Sequence, residues 1–424
     1  MEDNSWPKVQ LQEVCEHITV GHVGPMAHQY TATGIPFLRS QNVRPFRFDP
    51  TEIKYIFPDF HTALRKSALR PNDVVVTRSG ANTGQCCIIP PQLKDANCAD
   101  LVILRPSERI NPWFLMYVLN SDWGRATIAG GVVGAAQHHF NIGTARQFAI
   151  ALPPLSVQRR IAGILSAYDD LIENNQRRIK ILEEMARSLY REWFVHFRFP
   201  GHEKVKMVLS PLGPIPQGWE VKPLNDVVED IIDYRGRTPT KLKGEWASEG
   251  ILALSALNVK GGRLVNLEKS KLVSEELYGR WMKTPLKSGD ILMTSEAPLG
   301  ELFFLCKEER YCLSQRLYSI RANHRVMAPV ILYLCLESEQ TQHELSSRAS
   351  GATVSGIRQA ELRKVPILVP GADVQMRAEP FLQRLAEQIC TLDIQIQNLR
   401  RTRDLLLPRL LSGQIELKSM DAVA

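Results

Sequence analysis

Two sets of loop residues are of the types that recognise a polyanion. In the first half of the chain they are Arg39, Gln41, Asn42 and Arg44 in FLRSQNVRP (37–45), with Arg47 beyond. Arg78, Ser79, Asn82 and Thr83 follow in TRSGANTG (77–84), then Gln137, His138 and His139. In the second half, Arg235, Arg237 and Thr238 lie in DYRGRTP (233–239), ahead of Lys241 and Lys243. Asn258, Lys260 and Arg263 come next, then Ser295, and finally Ser350, Thr353 and Arg358 in RASGATVSGIR (348–358). Arginine grips guanine bidentately, and Asn or Gln grips adenine. Ser, Thr and the N–H groups of glycine loops hold phosphates. A single loop arginine is ordinarily just solvated; two such sets at equivalent places in a repeat point to DNA. Arg78 and Asn82 sit in a glycine-bearing turn directly after a strand-like run, a stiff mount suited to base readout. Lys241 and Lys243 sit in an open, lysine-rich stretch, which suits phosphate.

Other chemistries lack their residues. There is no GxxxxGK loop ending in Ser or Thr, no GxGxxG opening a helix, no HExxH and no GxSxG. Leu152-Pro153-Pro154-Leu155 lacks the polar and aromatic flanks of the amino-methyltransferase tetrapeptide. His138-His139 has no third ligand at a usable spacing, so no metal and no cofactor are expected. Asp169-Asp170 and Glu183-Glu184 read as a solvated helix face or partner contacts rather than catalytic pairs. The eight cysteines form no CxxC pair and read as reduced, mostly core thiols, as in the cytoplasm. No run of 18 apolar residues is present and the start is not a signal peptide, so no membrane association is expected. The net charge of +7 leans towards a polyanionic partner.

The elements that must carry these loops repeat. From Pro153 to about His196, apolar residues recur at alternating spacings of four and three: Ile161, Leu165, Tyr168, Ile172, Ile179, Leu182, Ala186, Leu189 and Trp193, with Asn175 on the same seam. That is a coiled-coil helix, a rod of roughly 54 Å. A buried Asn there costs stability but fixes register. The same seam returns 217 positions later in Ala378, Leu382, Leu385, Ile389, Leu392, Ile396, Leu399, Arg403, Leu406 and Leu410, with Gln375 on Gln158 and Pro370 on Pro153. Strand-like runs at Ile35–Leu38, Val74–Thr77, Cys86–Ile89 and Leu101–Leu104 precede a helix after Asn111-Pro112. The 219–368 stretch repeats this pattern with different loops: TRSGANTGQ faces TSEAPLGE, and GAAQHHFN faces GATVSGIR. The Pro/Gly-rich 200–218 stretch reads as a linker.

The chain closely resembles the specificity (S) subunit of type I restriction–modification enzymes. The residues that carry the resemblance are LPPLSVQRRIAGILSAYDDLIENN (152–175), GPIPQGW (213–219), DYRGRTP (233–239), GHVGPM (21–26) and LLLPRLLSGQIEL (405–417). It covers the whole chain; the second helix start, VPGADVQMRA (369–378), departs from the pattern by lacking a second proline and the Glu before Gln375. The resemblance implies an α+β fold of two tandem target recognition domains separated by two long helices packed as an antiparallel coiled coil. Its expected boundaries are domain 1 at 1–152, a spacer helix region at 153–199, a linker at 200–218, domain 2 at 219–368, a second spacer helix region at 369–415 and a tail at 416–424. It further implies a non-catalytic subunit that reads a bipartite double-stranded DNA target and docks two methyltransferase subunits and motor-nuclease subunits. From another class comes the alternative of a catalytic nuclease or methyltransferase fused to a recognition half; a pure coiled-coil scaffold is disfavoured because most of the chain lies in the two mixed domains.

Overall fold

The computed structural model describes residues 6–130, 140–351, 355–415 and 417. The chain divides into two compact units, one of residues 1–174 and 395–424, the other of residues 175–394. The boundaries therefore fall inside the two long helices, Leu155–Tyr190 and Ala372–Leu411, rather than at their ends. Each unit is a mixed domain with one part of each helix packed into its core.

In the first unit, the strands Cys15–Val20, Leu101–Pro106, Val74–Thr77 and Cys86–Ile88 form an antiparallel sheet in that spatial order. Its third strand is a continuous apolar run because both faces are covered. Val74 and Val76 enter a core with the Pro112–Asn120 helix, and with Ile161, Leu165, Leu407 and Leu410 of the long helices. Val75 enters a second core with Leu38, Val43 and Ile103. Asn111 caps the Pro112–Asn120 helix by accepting from Phe114 N at 3.1 Å, and proline at the first helical position costs no hydrogen bond. A second sheet pairs Ile35–Leu38 with Lys54–Ile56 and Asn97–Cys98. Gly34 precedes it at φ +145°, where a Cβ would meet the Ile56 carbonyl oxygen at 2.5 Å, so only glycine fits.

The second unit repeats this plan. Val228–Asp233, Leu317–Ala322, Ile291–Thr294 and Leu302–Phe304 form the main sheet in the same spatial order. Ile291 and Met293 join a core with the Pro329–Glu337 helix and with Ala186, Tyr190, Ala378 and Leu382 of the long helices. Leu292 turns to a second core around the buried Trp281. Gly250 repeats the Gly34 arrangement, its φ of +132° setting it against the Val273 carbonyl.

Within each unit the long helices run antiparallel: Ile161 and Leu165 near the start of the first share a core with Leu407 and Leu410 near the end of the second. In the other unit, Ala186 and Tyr190 late in the first helix share one with Ala378 and Leu382 early in the second. Ile161, Leu165, Ile172, Asn175, Ile179, Leu382, Leu392 and Ile396 are buried, and Leu182, Ile389 and Leu399 are half-buried. Off the seam, Leu171, Ile181, Met185, Phe381 and Leu405 are exposed. Arg403 occupies a seam position by pairing with Asp169 and laying its guanidinium 4.2 Å from the Phe46 ring centre. Tyr117 donates to the same aspartate at 2.6 Å. Burial lifts the Asp169 carboxyl above the ordinary range, against the opposing pull of Arg403.

One departure from the family pattern has no structural consequence, and one expectation changes. The departure at the second helix start leaves its geometry intact. Gln158 accepts from Asn111 N at 2.8 Å and donates to the carbonyls of Arg109 and Pro153. Gln375 accepts from Ala328 N at 3.1 Å and donates to those of Val326 and Pro370. The buried glutamine, not the second proline, seats the helix. The 200–218 stretch, expected as a linker, is folded. Met207–Ser210 and Gly213–Pro216 form a hairpin, and Trp219 packs among Phe194, Phe197 and Phe199 at ring distances of 5.4–5.9 Å.

Candidate nucleic-acid interface

The main sheet in each unit brings three chain segments to one edge. In the first unit, Val20 ends one strand, Leu101 begins the next and Thr77 ends the third, with Val20 opposite Val102 and Leu101 opposite Thr77. The residues just beyond these points meet. Arg78 Nε lies 3.4 Å from Asp100 Oδ1, and Ser79 Oγ donates to Asp100 Oδ2 at 2.7 Å. The Arg78 side chain is only 19% exposed, more enclosed than a freely solvated loop arginine. Asn82 accepts from Gln85 at 3.2 Å and Thr83 Oγ1 donates to the Gly80 carbonyl at 2.6 Å, so both shape the turn that carries Arg78.

A second group in this unit lies on the Ser40–Asn42 turn and the hairpin after it. Arg39 donates to the Glu52 carbonyl at 2.9 Å, Gln41 to the Glu52 carboxylate at 3.2 Å, and Arg44 to Asp49 at 3.4 Å. Asn42 differs in kind. It is fully buried, accepts from Arg39 N at 3.0 Å and donates to the carbonyls of Asp49 and Thr51 at 3.0 Å each. Its amide is wholly committed to holding the turn, which removes it from the DNA-contacting set. Gln137, His138 and His139 lie outside the described residues.

In the second unit the same edge gathers Asp233, Thr294 and Leu317. Arg235 donates to both oxygens of Asp233 at 2.9 Å and lies 4.0 Å over the Tyr318 ring. Burial is the largest single influence and would lower its pKa; the Asp233 hydrogen bonds, together with the Tyr318, Asp233 and Glu296 charges, hold it above its ordinary value. Burial pushes the Tyr318 phenol up to about 12. Arg237 stands 4.5 Å over Tyr234 and donates to the Trp281 carbonyl. Lys241 Nζ donates to the Gly236 carbonyl at 2.7 Å, and Thr238 Oγ1 accepts from Lys241 N at 3.4 Å. Lys243, Lys260, Ser350 and Arg358 are exposed. Thr353 lies outside the described residues.

Three second-unit candidates change role. Asn258 repeats Asn42: it is 4% exposed, accepts from Ser255 N at 2.9 Å and donates to the Val265 carbonyl and Ser270 Oγ. Ser295 is 1% exposed, its carbonyl taking the Ile357 N–H at 3.0 Å. Arg263 bridges Glu183 and Asp393 of the long helices at 3.1 and 3.5 Å, a tether within its own unit. Neither Asn258 nor Ser295 offers a free polar edge to DNA. Sequence reasoning passed over Asp100, Glu296 and Arg316. Arg316 Nε pairs with Glu296 Oε1 at 3.1 Å on the same edge. Aligning the halves on Leu101 and Leu317, rather than on their loops, would have set Asp100 against Arg316.

A DNA-recognition module is thus the class that fold and loops suggest. The family model of the type I restriction modification DNA specificity domain matches residues 4–184 and again 216–399, and the chain belongs to this family. Both halves match the DNA specificity domain, which supports the recognition reading and not the alternative of a catalytic half. The chain is 26% identical over 291 residues to the type I restriction enzyme MjaIX specificity subunit of Methanocaldococcus jannaschii, covering 65% of this chain and 63% of that one. To the MjaVIII specificity subunit of the same organism it is 23% identical over 422 residues, covering 98% and 94%. The crystal structure of a type I restriction–modification system S subunit from M. genitalium shares the fold, with a TM-score of 0.59 and 15% identity over 97% of each chain. Among the described residues, no helix is long and apolar enough to cross a membrane.

Proposed function

We propose that the chain is the recognition subunit of a type I restriction–modification complex, active in the cytoplasm and without chemistry of its own. Each mixed domain reads one half of a bipartite double-stranded DNA target, and the helix pair sets the spacing between the halves. The repeated fold presents equivalent docking surfaces to two methyltransferase subunits, and motor-nuclease subunits join that assembly. The observation that carries this reading is one scaffold used twice with different residues at the same sheet edge. Arg39, Gln41, Arg44, Arg78 and Ser79, with Asn82 and Thr83 shaping their turn, serve the first half-site. Arg235, Arg237, Thr238, Lys241, Lys243, Lys260, Ser350 and Arg358 serve the second. Single-molecule sequencing of the host genome for methylated adenines tests it. Two short specified blocks separated by a fixed unspecified gap, lost when this gene is deleted, is the expected result. A methylation pattern unchanged by the deletion would refute it.

A further inference from the structure

In the two units the residue directly before the second strand of the main sheet has the same unusual backbone. Asp100 has φ +56° and Arg316 has φ +63°. Neither is glycine, so each holds a conformation that side chains ordinarily avoid. Non-glycine residues kept in this region cluster at ligand-binding sites. In both units this residue forms an ion pair with the segment that leaves the third strand: Arg78 with Asp100, and Glu296 with Arg316. The polarity is reversed. In the first unit the cation follows the Val74–Thr77 strand and the acid precedes Leu101. In the second, the acid follows Ile291–Thr294 and the cation precedes Leu317.

We infer that Arg316, oriented by Glu296, is a base-contacting, specificity-determining residue of the second domain; the inference rests on the DNA-recognition reading above. Three features favour a base edge over a phosphate. The backbone of Arg316 is pinned, its carbonyl accepting from Ser295 N at 2.9 Å. Its Nε is the atom engaged by Glu296, at 3.1 Å, which leaves the two terminal nitrogens as a fork of the kind that grips guanine O6 and N7. The pair is accessible, with Arg316 50% and Glu296 37% exposed, so it orients the side chain at little energetic cost to exchange. Its neighbours are less available: both Asp233 oxygens and the Tyr318 ring fix Arg235, and Arg237 is tied to the Trp281 carbonyl. The reversed polarity also moves the guanidinium from one strand to its neighbour, so the two domains address different positions with one scaffold.

The test uses the full chain, selection from a pool of duplexes randomised in sequence, and sequencing of the bound fraction, for wild type, R316A, R316K and E296Q. Melting curves confirm that all four fold. The expected result is a motif whose preference at one G·C pair, in one half only, falls roughly 5- to 150-fold in both R316A and R316K. E296Q should reduce the same preference less. If R316A weakened every sequence alike and R316K restored binding, Arg316 would be a phosphate contact and the inference would fall. A motif indifferent to Arg316 would also overturn it while leaving the recognition reading standing. A wild-type chain that enriched no motif at all would overturn both.

Discussion

In the first unit an aspartate precedes the Leu101–Pro106 strand, accepts from Ser79 and faces Arg78; in the second, Arg316 takes that place and faces Glu296. One strand's length along the sheet, the two units agree almost atom for atom. Asp73, 1% exposed, takes Arg105 Nε and Nη2 at 2.8 Å each and accepts from Arg70 N at 2.8 Å. Asp290, also 1% exposed, takes Arg321 at 2.8 and 2.7 Å and accepts from Lys287 N at 2.8 Å. The same Nη2 also donates to the equivalent backbone carbonyl, Ala68 in one and Pro285 in the other. A buried charge must be paired and hydrogen-bonded, which constrains the inner pair in both copies. At the outer edge neither acid is buried, Asp100 being 48% and Glu296 37% exposed; a pair open to water carries little stability, so polarity there is free to differ. Residues free of the scaffold are the ones that can hold a different target.

The shared part can be broken hardest. Ile179 is fully buried on the helix seam and Ile181 is 60% exposed. Ile179→Asp should cost more than the about 2–5 kcal/mol of removing a buried isoleucine side chain, because a charge is buried as well. Ile181→Asp should change stability by about 0.5 kcal/mol or less. Urea denaturation of both variants checks this, and equal losses would place the seam wrongly. Next in size, Asp73→Ala and Asp290→Ala should each cost about 3–5 kcal/mol by leaving a mostly enclosed arginine, Arg105 or Arg321, without its buried partner. Melting curves in which one substitution is tolerated would show that the two pairs are not equivalent.

A smaller effect separates the units. The neighbouring Cys306 thiol favours the Cys390 thiolate and lowers Cys390 to about 7, while Cys306 itself is raised. The first unit has Glu173 at the place of Cys390. A depressed thiol gains thiolate as pH rises through its lowered value, and the thiolate is the nucleophile. Alkylation of Cys390 by iodoacetamide should therefore climb through pH of about 7, ahead of the buried cysteines Cys86, Cys87, Cys98, Cys312 and Cys335. Cys306→Ala should move that midpoint upwards. A midpoint that stayed in place would rule out Cys306 as the cause.

Periodicity made the scaffold legible. The Val74–Thr77 run, the Asn111-Pro112 helix start and the two heptad seams stand where the sequence predicts them, because burial on a regular element leaves a regular trace. Composition misled at 200–218, where proline and glycine usually mark a linker but here shape a hairpin that delivers Trp219 to an aromatic cluster. Residue type also failed to separate Asn42 and Asn258 from base-reading amides, since an asparagine that staples a turn and one that meets adenine offer the same groups. What distinguishes them is burial. Arg316 was missed for the opposite reason: it stands outside every glycine-rich or lysine-rich loop, and only strand register sets it opposite Glu296 and equivalent to Asp100.

The central claim is that each domain owns one half of the target, and exchange of residues 1–152 for the first domain of another family member tests it most directly. The hybrid is expressed with the methyltransferase partner and its adenine-methylation motif is read by sequencing. One half of the motif should change to that of the donor, with the other half and the gap between them unaltered. A hybrid that altered both halves, or neither, would contradict the account.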